Sequence, residues 1–235
     1  MKLVAQIDAY SCATGLFDPD LLPAGFHQRS RDDCMALIQD LAAQGQFVYC
    51  ETEFEDISLL HLYVNEAVPE ELLRYCIDVA DVEAFTVSSG RIWFSDLMSA
   101  FHQDPKFLIK NPEMRAEIEI PAGIYKVRSM RTEYPEEYID DQIKNTLSQE
   151  EYRSYQQTEG LVAKGCFLFV AIAVALWWLA FSIQSLLLVS LLLVYWGFAR
   201  KRLGSSKHRM IKEKIMAIES NYPLLIAEFR SLPIQ

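Results

Sequence analysis

From Gly165 to Ala199 the chain reads thirty-five residues without a charged side chain. A bilayer core about 30 Å thick is crossed by about 20 helical residues. At about 1.5 Å per residue the whole run makes a helix of about 52 Å, too long for one span. Three arrangements fit: one long tilted helix, a two-helix transmembrane hairpin, or a hairpin buried within protein. Ser182, Gln184 and Ser185 divide the run into two nearly equal halves. Trp177 and Trp178 precede that point, and Tyr195 and Trp196 lie near the far end. Trp and Tyr favour the membrane–water interface, and basic residues stay on the cytoplasmic side. With Lys164 before the run and Arg200-Lys201-Arg202 after it, the pattern predicts a hairpin of limbs 165–182 and 185–200 within 164–202. The expected location is the inner (plasma) membrane, multi-pass, with both termini cytoplasmic.

Charge divides the chain in the same place. Residues 1–160 carry 13 Lys and Arg against 29 Asp and Glu, a net of −16, while residues 161–235 carry 9 against 3, a net of +6. The acidic part repels nucleic acid and suits a protein partner. The basic flanks, with Lys207, Arg209, Lys212 and Lys214, suit an anionic lipid surface. The start of the chain lacks the apolar core of a signal peptide, because Asp8 interrupts it. Cys12, Cys34, Cys50, Cys76 and Cys166 are odd in number and irregularly spaced, and they predict reduced thiols.

Local patterns predict an α+β domain over 1–134 with a mixed or antiparallel sheet. Residues 3–10 read as a first strand, and DPDLLPAG after Phe17 as a loop. A helix runs from the Ser30 region through Met35, Leu37, Ile38 and Leu41 to Gly45. Strands at 47–53 and 57–64 read as a hairpin, as do 82–87 with 91–94 across Ser88-Ser89-Gly90. A third hairpin joins 116–120 to 124–130 across Pro121-Ala122-Gly123. A short helix starts at Pro69. Residues 135–163 read as a helical connector, interrupted near Ser148. Residues 203–235 read as a basic amphipathic tail, with Met210, Ile211, Ile215 and Ile218 on one helical face.

No catalytic, cofactor-binding or metal-ligating set is expected. His27, His61, His102 and His208 form neither H-x-x-x-H nor H-E-x-x-H, and the cysteines form no C-x-x-C. Phosphate-binding glycine motifs and the G-x-S-x-G elbow are missing. The acidic run Glu51 to Asp56 reads as a solvated turn.

A first strand running into Phe17-Asp18-Pro19, then Ser88-Ser89-Gly90-Arg91-Ile92, then Ile120 to Val127, resembles the small acidic α+β domains of bacterial toxin-immunity-type proteins, over residues 3–130. The resemblance implies a bacterial protein that binds and neutralises a partner without catalytic residues. The expectation is therefore a membrane-anchored, non-enzymatic binding protein. One alternative is a membrane-associated enzyme or small-molecule sensor with a loop-built site around Asp96 and His102. Another is a structural subunit of a membrane complex, packing through Ser182, Ser190 and Gly197.

Overall fold

The computed structural model describes residues 1–23, 26, 33–52, 57–102, 104, 106–158, 160 and 206–233. The chain divides into two units, Met1–Tyr134 with Tyr222–Gln235, and Pro135–Asn221.

The first unit is built from strands whose alternate residues face a shared apolar interior. In chain order they are β1 (Lys2–Asp8), β2 (Ala13–Phe17), β3 (Phe47–Glu51), β4 (Ile57–Val64), β5 (Cys76–Val87), β6 (Arg91–Asp96), β7 (Arg115–Glu119), β8 (Gly123–Thr132) and β9 (Leu225–Ser231). They form a five-stranded sheet, β1-β4-β9-β8-β5, and a four-stranded sheet, β3-β2-β6-β7. Only the β4–β9 pair in the first sheet is parallel. Ile7, Leu60, Leu62, Phe85, Val127 and Phe229 from one sheet share a core with Leu16, Val48, Ile92, Phe94 and Ile118 from the other. This is a β-sandwich. At its centre the Phe229 ring meets Phe85 and Tyr125 edge-on, each at 5.6 Å between centroids.

Helices cover the outer side of the four-stranded sheet. Leu37, Ile38 and Leu41 of α1 (Cys34–Ala43), Leu97 and Ala100 of α3 (Leu97–Ala100) and Leu108 of α4 (Phe107–Lys110) pack with Phe17 and Phe47. α1 ends in a Schellman arrangement: Gln46 N–H donates to Leu41 O at 2.8 Å and Gly45 N–H to Ala42 O at 3.0 Å. Gly45 has φ +67°, and a Cβ there would strike the Ala84 carbonyl. A Cβ on Gly15 would strike the Phe47 ring, which is stacked on Phe17 at 5.5 Å. On the outer side of the five-stranded sheet a smaller cluster joins Tyr63, Val68, Met130 and Ile226 with Leu72 of α2 (Glu70–Leu73).

The sandwich corrects the expected strand pairings. Each of the three predicted hairpins crosses from one sheet to the other instead. β3 pairs with β2, whereas β4 pairs with β1 and β9. β5 pairs with β8, whereas β6 pairs with β2 and β7. β7 and β8 likewise lie in different sheets. β2 falls where the sequence pattern predicts no strand. Its burial is continuous from Ala13 to Phe17, because it is covered on both faces. β9, an interior strand of the five-stranded sheet, lies within residues 203–235, which read as a basic amphipathic tail. Thr132 N–H donates to Leu224 O at 2.9 Å, which seats β9 beside β8.

The second unit contains α5 (Glu136–Thr146), a helical stretch at 149–158 and α6 (Ser206–Glu219). Ser148 and Glu151 form a capping box between the first two: Ser148 N–H and Oγ–H donate to Glu151 at 3.0 and 2.8 Å. Ile143 and Leu147 bury against Ile211 and Ile215 of α6. Lys214 Nζ reaches Glu151 Oε1 at 2.6 Å, and Arg209 pairs with Glu213 at 3.1 Å.

These contacts correct the membrane reading. No helix among the described residues is long and apolar enough to cross a membrane. A fold class that includes a transmembrane hairpin is therefore withdrawn. With it go the multi-pass inner-membrane location, the cytoplasmic termini and the lipid-facing tail. Hydropathy, aromatic placement and flanking charge carried the hairpin, and its segment, 164–202, lies outside the described residues. The supporting argument from the tail fails on contact. Ile211, Ile215 and Ile218 of the α6 stripe are used within their own unit while Met210 is exposed, Arg209 and Lys214 are paired with carboxylates, and 225–231 is sheet.

Two outcomes follow from these contacts. Phe229→Ala lowers the unfolding free energy of the first unit by about 3–5 kcal/mol in denaturant titration, and a chain ending at Asn221 does not form the sandwich. In the second unit the hydrogen bond from Lys214, then those from Ser148, hold the Glu151 pKa at about 2, against an ordinary 4.5. The stability it adds is present above pH 4.5 and is lost as pH falls toward 2. Glu151→Gln therefore shrinks the drop in melting temperature between pH 5 and pH 2.5.

Candidate interaction face

Two carboxylates with no accessible surface, Asp18 and Asp96, hold the corners of the sandwich. A buried ionised carboxylate is tolerated only when donors surround it. Asp18 ends β2 and accepts five hydrogen bonds from the Ser88-Ser89 turn and Asp20. Ser88 N–H and Oγ–H donate at 2.7 and 3.0 Å, Ser89 N–H and Oγ–H at 2.8 and 2.8 Å, and Asp20 N–H at 2.9 Å. Burial alone would raise its pKa. The bonds from Ser89, Asp20 and Ser88 outweigh that and hold it below the ordinary carboxylate value. The turn that carries the chain from β5 to β6 is thereby tied to the end of β2.

Asp96 does the same at another corner. It accepts from Tyr10 N–H at 3.1 Å, Ser11 N–H at 2.9 Å and Ser11 Oγ–H at 2.6 Å. Ser99 N–H and Oγ–H donate to its other oxygen at 2.9 and 2.7 Å, which caps α3. His102, expected beside it in a loop-built site, is instead exposed and stacked on Phe107 at 4.0 Å, with its Nδ1 accepting from Asp104 N–H at 3.0 Å. Asp96 already accepts five hydrogen bonds as a brace for the β1–β2 turn, an arrangement that serves structure.

The other residues singled out in the sequence are dispersed. His61 is buried in β4 between Val4 and Ile226, edge-on to Tyr63 at 6.4 Å. His208 lies in α6, and His27 lies outside the described residues, as do 53–56 of the acidic run. Cys12 is exposed. Cys50 is buried, and burial pushes its thiol up to about 12 despite a hydrogen bond with Ser129, which makes it a poor nucleophile. Among the described residues no group of three or more His, Cys, Asp and Glu could hold a metal ion.

Among the described residues, the helices pack on β2, β3 and β6 and leave Trp93 of β6 only partly buried at the edge of their cluster. Its ring meets Phe17 edge-on at 6.1 Å, and the Arg115 guanidinium lies 4.3 Å from its centroid. The indole Nε1–H donates to Glu117 Oε2 at 3.1 Å. Arg91 extends the row, 3.2 Å from Asp20 and 3.6 Å from Glu117. Beside it lies an open cleft lined by Asp20, Ser89, Arg91, Glu117, Glu119 and Pro121, among others. The Asp18-tied turn forms one wall of this cleft. Sequence reading missed the face, although Trp93 is the only one of the four tryptophans outside the long apolar run.

No family model matches this sequence, and no curated protein matches it. Two solved structures show similarity. One is described as crocagin biosynthetic gene J, at 14% identity over 56% of this chain and 75% of that one, with a TM-score of 0.39. The other is ComJ from Bacillus subtilis, an inhibitor of the DNA degrading activity of NucA, at 12% identity over 55% of this chain and 81% of that one, with a TM-score of 0.35. Similarity at this level assigns neither family nor activity to this chain.

Asp18→Ala lowers stability by about 3 kcal/mol, because the charge-assisted bonds are lost and buried donors are left unmade. In the unsubstituted protein this contribution is present above pH 3.8 and is lost as pH falls through the lowered pKa. Denaturant titrations at pH 7 and pH 3 measure both effects.

Proposed function

We propose that the first unit is a non-enzymatic protein-binding domain of the inhibitor or immunity type, and that it engages its partner through the outer face of β6 and β7. The observation that carries this reading is Trp93, partly exposed and clamped between Arg115 and Glu117 beside a wall tied down by Asp18. Tryptophan and arginine dominate the energetics of protein interfaces. An anchor already fixed in the free protein loses little conformational freedom on binding. The first unit carries 23 Asp and Glu against 12 Lys and Arg, a net of −11, which favours fast, oriented encounter with a protein of opposite charge. The alternative of an enzyme or sensor site around Asp96 and His102 is disfavoured, because Asp96 is engaged on both oxygens by backbone and serine donors.

A photo-crosslinking amino acid at Glu113, which is exposed two residues before Arg115, tests the face in cells of the native host. A second, at the exposed Val79 of β5, is the control. The expected result is a discrete adduct at 113 and none at 79, with Trp93→Ala reducing the adduct about tenfold or more. Adducts at 79 alone, or an adduct at 113 indifferent to Trp93→Ala, contradict the assignment.

A further inference from the structure

The second unit is inserted, in sequence, into the turn of a β-hairpin, and we infer that its folding is the clasp that keeps β9 seated in the first unit. β8 and β9 are antiparallel neighbours, with Arg131 across from Leu225. Such a pair is ordinarily joined by a turn of a few residues; here Pro135–Asn221 stands in its place. Both strands are pinned where the insertion leaves and returns. Thr132 N–H donates to Leu224 O at 2.9 Å, and the Thr132 hydroxyl reaches the Pro223 and Leu224 carbonyls. Glu133 N–H donates to Tyr75 O at 2.8 Å, and Leu224 N–H to Leu59 O at 3.0 Å. The Tyr134 ring meets Tyr222 edge-on at 5.5 Å and Tyr75 at 4.9 Å.

Inside the second unit, the helices nearest those two ends meet. α5 begins at Glu136 and α6 ends at Glu219. Ile143 and Leu147 bury against Ile211 and Ile215, and Ile139 and Ile218 lie against the same cluster. While this packing holds, the leash between β8 and β9 is short: Glu133 to Pro135 on one side and Ser220 to Leu224 on the other. When it is lost, the leash is the whole of Pro135–Asn221. The chance that two points on a chain meet falls as about the −3/2 power of the loop between them. A loop of about 90 residues in place of about nine therefore makes the seating of β9 roughly thirtyfold less favourable. β9 carries Phe229 in the shared core of the two sheets, so the sandwich as a whole feels that factor. Linkage makes the effect reciprocal: whatever orders the second unit stabilises the first, and the seated strand stabilises the second unit in turn.

Native-state hydrogen exchange of the full chain tests this at the amides of Ala227 and Phe229, two β9 residues with no accessible surface. Ile215→Asp puts a charge into the α5–α6 cluster. Met210→Asp puts the same charge at an exposed position of the same helix and is the control. Ile215→Asp is expected to strip protection from the α6 amides and to speed exchange at Ala227 and Phe229 roughly thirtyfold; Met210→Asp is expected to do neither. A second variant leaves both cores intact: a Gly-Ser segment of about twenty residues, inserted between Asn221 and Tyr222, lengthens the leash from about nine residues to about 29. It is expected to speed exchange at the same two amides roughly sixfold. Unchanged exchange in β9 when α6 has lost its protection overturns the inference. So does equal acceleration in Met210→Asp, or indifference of β9 to the Gly-Ser segment. If Ile215→Asp abolishes folding of the whole chain, the Gly-Ser variant decides alone.

Discussion

The Asp18 carboxylate is the constraint on which the rest of the first unit depends. A sandwich needs its chain to leave one sheet and enter the other without exposing the core. At the β5–β6 corner that change of direction is held by a charge with no accessible surface and five donors. Such a group is costly unless every lone pair is met, so the corner is either fully assembled or lost. Its assembly fixes Ser89, and Ser89 forms a wall of the cleft beside Trp93. One interaction therefore serves both the topology and the candidate face.

Much of the secondary structure was legible, and the pairing was not. Strands β3, β4 and β6 announce themselves as apolar runs bounded by turn signals, β7 and β8 through alternation, and α1 through its helical spacing and Gly45. Period-two alternation says which face of a strand is buried. It does not say which strand lies beside it. Ser88-Ser89-Gly90 and Pro121-Ala122-Gly123 are turn signals whether the strands they join pair with each other or separate into two sheets. The distinction lay in long-range partners: Asp18 with Ser88 and Ser89, and β9 with β4 and β8. β9 follows a long insertion, so nothing local marked Leu225–Ser231 as an interior strand. At the candidate face, Asp18 read as a turn aspartate because Phe17-Asp18-Pro19 is also an ordinary loop signature. Asp96 was noted for chemistry and proved to be a brace. Trp93 had a visible signal, its isolation from the other tryptophans, that pattern reading did not weigh.

The overturned membrane reading has a similar origin. Hydropathy and flanking charge describe a segment by itself. They cannot see that the apolar stripe of α6 meets Ile143 and Leu147, or that Lys214 meets Glu151. A basic amphipathic helix is as well suited to a partner helix as to a lipid surface, and the contacts show the former.

The central claim is that the face beside Trp93 is rigid before any partner arrives, because Asp18 fixes its wall. Native-state amide hydrogen exchange of the full chain measures this at Ser88 and Ser89, both of which are exposed or part-exposed turn residues bonded through their N–H groups to Asp18. The account predicts that these two amides exchange as slowly as those of the core strands β6 and β8. Exchange at the rate of a free surface loop would contradict it.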